Sequence, residues 1–305
     1  MTGIPSIRNR YSGLMVAAAV YVSWATTWPV GKLAMSQWTP LGLTTTRHLV
    51  GGVVLLSLAA AYSAWPRPPR RNEIVIGVLQ CGVYFYCSYR ALELGTAAIT
   101  AVIAGAYPVL VALLSPRDEQ RRLFRILSLV LMVLGVGLVA FGGAADFKAI
   151  AGQSTEVLGW AAAAAIAMAL ATRVPRPAGS VSEVVRSMAI AMLCGAIATG
   201  ALAIVLGDPW LRGAPGWKDI GTLAWLSLVG SAAVFVGLEW LLRRYKPWRV
   251  SMGYAAVPGM AAAMSMIWLG ERISEWVVVG LLLTLGALSL TELGSRHPPI
   301  IESAR

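Results

Sequence analysis

Lys246-Pro247-Trp248-Arg249, an apolar run broken once by Pro258, Trp268-Leu269-Gly270-Glu271-Arg272 and a second apolar run to Leu290 make up the stretch that decides the fold. Two hydrophobic runs of about 20 residues joined by a short polar elbow read as a transmembrane helical hairpin. The pattern occurs earlier, from Arg90 to Phe141. There the first run carries Pro108, the charged turn Ser115-Pro116-Arg117-Asp118-Glu119 follows, and the second run carries Gly135 and Gly137. A shift of 150 residues brings Pro258 onto Pro108 and Gly286 to one residue past Gly135. A pair of runs that recurs is a duplicated membrane unit.

The composition agrees. The 305 residues are 57% hydrophobic and 13% charged, with a mean hydropathy of +0.69. A soluble globular chain carries about 25% charged residues. The formal charge of +11 does not point to nucleic acid, because the basic residues sit in short clusters between apolar runs, as topology signals do. Cys81, Cys87 and Cys194 lie inside apolar runs and are too scattered for a disulfide framework or a metal site. Arg8 and Arg10 followed by a long apolar run resemble a signal sequence. The run continues past Trp28 with no cleavage site, which makes it an uncleaved first span.

Windows of low charge give ten spans, near 12–33, 41–64, 74–94, 96–115, 125–143, 156–173, 184–206, 220–241, 250–269 and 274–293. Eighteen of the 25 Lys and Arg fall on one side, six on the other, and Arg47 lies within a span. The crowded side is expected to be cytoplasmic, with both termini. Ten spans divide into two fives, and an odd repeat enters the membrane from opposite sides. The expected architecture is therefore an all-α integral membrane protein of ten transmembrane helices, built as two inverted five-helix repeats. The first repeat, with its cytoplasmic N-terminus, occupies residues 1–145 and the second 146–293, with 294–305 a cytoplasmic tail. Inverted repeats place a binding site at the midplane and alternate access by rocking.

The chain resembles the drug/metabolite transporter superfamily, EamA type. The first repeat carries Trp24-Ala25 in place of Trp-Gly, then Gly31-Lys32, Pro40, Arg47 and Pro108. The second carries Pro258, Leu269-Gly270-Glu271-Arg272, Gly280 and Gly286. The first repeat has Arg117-Asp118-Glu119 where the family often has Gly-Glu-Arg, and the sixth span lacks the usual aromatic near Met168-Ala169. The resemblance implies a ten-helix carrier of a bacterial-type inner membrane that exports amino acids or other small metabolites.

Eight residues are the candidates for substrate contact: Trp24, Trp28, Arg47, Tyr84, Tyr107, Pro108, Tyr254 and Pro258. Each mid-span proline frees a carbonyl, that of Ala104 or Tyr254, which in lipid needs a partner or a cavity. A packing kink is the plainer reading, but recurrence in both halves favours a cavity. Trp24, Thr27 and Trp28 share a helical face with Lys32, and Tyr86, Tyr89, Arg90 and Glu93 form a similar polar stripe. Trp24, Tyr84, Tyr107 and Tyr254 lie too deep for the interfacial belt, to which Trp38, Trp65, Trp210, Trp217, Trp248, Trp268 and Trp276 are assigned. Arg47 lies roughly 10 Å deep, at 1.5 Å per residue. A charge there costs about 2.5–3.5 kcal/mol on insertion scales. Its compensation is a substrate carboxylate, Glu93, or snorkelling to the surface. Glu239 is expected to pair with Arg243, Glu271-Arg272 to cap an elbow, and His48 to be a packed residue.

With two histidines, no nucleophile–base pair and no metal-ligand spacing, an enzyme is disfavoured, and no cofactor or metal is expected. The alternatives to an exporter of amino acids are a channel or facilitative pore, and an exporter of hydrophobic or cationic drugs. The partners implied are the bilayer and one small-molecule substrate. Both halves lie in one chain, so a monomer suffices.

Overall fold

The structure is a computed structural model that describes residues 7–62, 67–104, 107–114, 122–142, 155–176, 179–245, 247–270 and 275–294. The elbow Glu271-Arg272, the turn Arg117-Asp118-Glu119, Trp65 and the link between the expected halves lie outside these residues. Among the described residues there is helix and no strand, apart from an isolated bridge between Trp38 and Leu211.

The helices run as α1 (Ile7–Ala34), α2 (Pro40–Ala61), α3 (residues 71–94), α4 (Ala97–Ala104 and Tyr107–Leu114) and α5 (Arg122–Gly142). They continue as α6 (Thr155–Arg173), α7 (Val181–Leu206), α8 (Trp217–Leu242), α9 (residues 247–269) and α10 (Glu275–Gly294). Five stretches are long and apolar enough to cross a membrane: Gly13–Ala34, Pro40–Ala61, Glu156–Arg173, Val181–Leu206 and Trp217–Leu242. Shorter apolar helices include Ile126–Gly135, Val257–Leu269 and Val278–Ala287. Ile197, Ile204 and Val205 on α7 are 69%, 75% and 81% exposed. Water would penalise that exposure, whereas hydrocarbon does not, so these faces meet lipid. This is an all-helical membrane protein.

The helix ends follow from local chemistry. Pro40 opens α2, where a missing N–H costs nothing, and the Thr39 side chain accepts from the Gly42 N–H at 3.0 Å. Ser180 caps α7 in the same way, and Gly207, at φ 63°, ends it.

Two helices leave α geometry midway. In α3 the segment Gly77–Val83 is a π-helix, and in α8 the segment Leu228–Ala233 is another. Each follows a short α-helical opening, Arg71–Ile76 and Trp217–Ser227. A π turn widens the hydrogen-bond ring and leaves carbonyls short of their i+4 partners, which is tolerated where other donors reach them.

Packing is close at small residues. A Cβ on Gly77 would lie 2.2 Å from the Ala191 carbonyl oxygen, and one on Gly195 2.6 Å from that of Gly77, so α3 and α7 touch backbone to backbone. The other pairings are α1 with α8 and α9, α6 with α3 and α4, α2 with α7 and α8, α4 with α9, and α5 with α10.

Candidate functional site

The centre of the bundle is aromatic. Trp24 on α1 meets Tyr254 on α9 edge-on at 4.5 Å between ring centroids, Phe235 on α8 at 6.0 Å and Tyr84 on α3 at 6.4 Å. Tyr107 on α4 lies 4.8 Å from Tyr254, and the Tyr84 and Tyr254 hydroxyls are 3.3 Å apart. Trp24 and Tyr254 are 0% exposed and Tyr84 and Tyr107 1%. Trp28 is buried, and its indole approaches the Tyr254 hydroxyl. Five of the eight sequence candidates therefore meet, and seven if the two prolines are counted with the neighbouring tyrosines.

Pro108 and Pro258 are both buried. Pro258 is in the first turn of Val257–Leu269, which restarts after the 3₁₀ turn Tyr254–Ala256. The backbone break thus comes just before the proline and sets Tyr254 at the kink. Pro108 is the second residue of Tyr107–Leu114 and has its tyrosine immediately before it.

Arg47 departs from the sequence expectation. Glu93 is not its partner, and it does not snorkel. Its side chain is 0% exposed and reaches the π segment of α8. Nε donates to Ser231 Oγ at 2.8 Å, and one terminal nitrogen donates to the carbonyls of Leu226 at 3.1 Å and Gly230 at 3.0 Å. The other terminal nitrogen donates to the Tyr89 hydroxyl, and the guanidinium carbon lies 4.2 Å from the Phe85 ring centroid. Main-chain dipoles and a ring face therefore compensate the charge, and among the described residues no carboxylate does so. A Cβ on Gly230 would lie 2.6 Å from Thr27, so this approach needs a glycine. His48, as expected, is packed: Nδ1 donates to the Thr44 carbonyl at 2.8 Å, and its ring lies against Phe85 and Phe235.

Ionic latches tie the helix ends. At one end Arg90 and Arg212 share Glu93, and Arg212 also donates to the Met35 carbonyl at 3.2 Å. Lys32 donates to the carbonyls of Leu92 and Gly95 at 2.8 and 2.7 Å, which joins α1 to α3. At the other end Glu239 takes Arg243, as the sequence indicated, and also Arg176 at 2.6 Å, which joins α8 to the end of α6. Nearby, Arg67 holds Glu73 through two bonds of 2.9 and 2.7 Å, and Ser187 of α7 donates to the same carboxylate at 2.6 Å. Burial pushes the Glu73 carboxyl up. The Arg67 guanidinium, the Arg70 N–H and Ser187 outweigh burial and hold it below the usual carboxylate range.

Among the belt tryptophans, Trp210, Trp217, Trp268 and Trp276 are exposed, at 38% or more. Trp38 is buried instead, because the bridge to Leu211 folds the α7–α8 connection over it. Sequence reasoning missed Phe85, Phe235, Gly230 and Ser231. It also passed over Pro29, which sits within an unbroken α1.

A lipid-facing helical bundle with a packed aromatic centre and latched ends has the build of a membrane transporter. The EamA-like transporter family matches residues 11–141 and again 156–293, and the chain belongs to that family. Similar curated proteins are the uncharacterized inner membrane transporter YedA of Escherichia coli strain K12 and its counterpart in E. coli O157:H7. Each is 23% identical over 290 residues, which span 90% of this chain and 89% of the relative. A solved crystal structure superposes with a TM-score of 0.70 at 18% identity, covering 94% of this chain and 99% of its own, which establishes a shared fold. The chain is a multi-pass membrane transporter of the drug/metabolite type.

Proposed function

We propose that the protein is a secondary active exporter of amino acids or related carboxylate-bearing metabolites, working by alternating access between two inverted five-helix repeats. The repeat is supported by how features pair when each helix is exchanged for the one five places on. The π segments of α3 and α8 exchange, as do the tyrosine–proline kinks of α4 and α9. The α1–α8 and α6–α3 contacts also exchange, as do α3–α7 and α8–α2, while α2–α7, α4–α9 and α5–α10 map onto themselves. The family matches the chain once per half. Rocking requires symmetry-related pairs of this kind to trade conformations.

One observation carries the substrate class. Arg47 is a buried cation inside the aromatic cluster, and the acids Glu73, Glu93 and Glu239 are each held by other arginines. A guanidinium has five N–H donors, of which Arg47 uses four in the bonds above. An entering carboxylate would neutralise it, and the rings would take an apolar side chain.

The test is counterflow. Proteoliposomes loaded with one unlabelled amino acid at a time are expected to accumulate the labelled form transiently and saturably. Ion conductance without counterflow for any amino acid would put a channel in place of the carrier. The orientation is read separately. Cysteines at Thr155 and Asp208 are expected to react with an impermeant thiol reagent on whole cells, and one at Arg70 is not. Reaction at Arg70 alone would reverse the topology.

A further inference from the structure

At the Glu93 end a cavity of about 370 Å³ opens between the start of α2, the second half of α3 and the end of α7. Its polar lining is Thr39, Tyr86, Arg90, Glu93, Asp208 and Arg212. The volume is within the roughly 300–1,000 Å³ of small-molecule sites. Its charges are of both signs. Arg90 and Arg212 share Glu93, while the Asp208 carboxylate has no hydrogen bond or ion pair among the described residues.

The fold does not require these charges. Exchanging helices between the two halves carries this cavity onto another at the opposite end, between the start of α7, the end of α2 and α8. That one, of about 840 Å³, is lined by residues such as Leu58, Val185 and Val236, with polar groups only from Tyr62, Ser180 and Ser182. The same groove is therefore built once apolar and once zwitterionic.

We propose that the cavity at Glu93 and Asp208 is a second, peripheral substrate site that binds an α-amino acid as its zwitterion. Asp208 takes the ammonium group, and the guanidinium edges of Arg90 and Arg212 take the carboxylate. The site lies on the latch itself. A carboxylate on Arg212 competes with Glu93, so occupancy loosens the tie between α3 and the α7–α8 connection and favours opening at that end. The proposal rests on the exporter reading above, since it gives the transported substrate a station at the mouth.

The test uses the full chain in liposomes with Leu206, a cavity-lining residue, replaced by cysteine and Cys194 by alanine, leaving the buried Cys81 and Cys87. Alkylation of the new thiol is timed with L-alanine, L-threonine, L-phenylalanine, methylammonium or acetate present. At least one amino acid is expected to slow labelling more than methylammonium or acetate does. Adding Asp208→Asn is expected to raise the half-protecting concentration about tenfold. The proposal is overturned if no amino acid protects, if acetate protects equally well, or if Asp208→Asn leaves protection unchanged. Counterflow of the same amino acids on the same liposomes separates the two readings. Counterflow without protection removes the peripheral site and keeps the exporter. Protection without counterflow keeps the site and removes the exporter.

Discussion

Arg47→Ala is expected to leave little folded protein in the membrane. The change deletes four hydrogen bonds at once and takes the Arg47 donors from the Gly230 carbonyl and the Tyr89 hydroxyl around an empty volume, while Ser231 keeps its bond to the Leu226 carbonyl. Each buried orphan costs about 1–3 kcal/mol. Two such orphans and the vacated side-chain volume are a large share of the roughly 5–15 kcal/mol by which proteins are stable. Lysine keeps the charge, but its single ammonium cannot reach Ser231, Tyr89 and two carbonyls together, so Arg47→Lys should fall between wild type and alanine. Because Glu93 belongs to Arg90 and Arg212, adding Glu93→Gln to Arg47→Ala should restore nothing. Melting followed by size-exclusion chromatography in detergent reads all three variants. A wild-type melting temperature for Arg47→Ala would refute this account of the charge.

Trp24→Ala should abolish transport. The indole touches Tyr84, Phe235 and Tyr254, from three different helices, and no exposed surface remains through which the gap could be filled from outside. Truncating a buried tryptophan costs roughly 3–5 kcal/mol. The three edge contacts account for about 0.5–1.5 kcal/mol each beyond buried area. Trp24→Phe retains a ring and should recover most of the stability. If Trp24 also walls the substrate path, the phenylalanine variant will show altered counterflow at near-normal melting temperature. Full transport by Trp24→Ala would move the path elsewhere.

The spans were legible because hydrocarbon demands long apolar runs, and the ends of α1, α2, α6 and α7 fall within a few residues of the hydropathy windows. The tyrosine–proline pairs were legible because a mid-span proline is rare and this one occurs twice. What Arg47 binds was not. Its partners are main-chain carbonyls about 180 residues away, exposed by a π turn, and a carbonyl leaves no mark in a sequence. The local signal, Gly230-Ser231, is the small-residue composition of any packed membrane helix. Phe235 was missed for a related reason, since a phenylalanine at a bundle centre reads like one facing lipid. Glu93 was weighed as one possible partner of Arg47, and its tie to Arg212 was not legible because Arg212 reaches it only through the chain folding back between α7 and α8.

The two latches differ in how much water they see. Side chains in the Arg90–Glu93–Arg212 group are 31%, 17% and 41% exposed, against 4%, 6% and 5% for Arg176, Glu239 and Arg243. Mobile ions screen exposed charges over about 8 Å at physiological ionic strength and reach buried ones far less. Salt therefore weakens the tie at the Glu93 end while sparing the Glu239 end. On the alternating-access proposal, the resting equilibrium between inward and outward forms acquires a dependence on the ionic composition of the medium, independent of any substrate gradient.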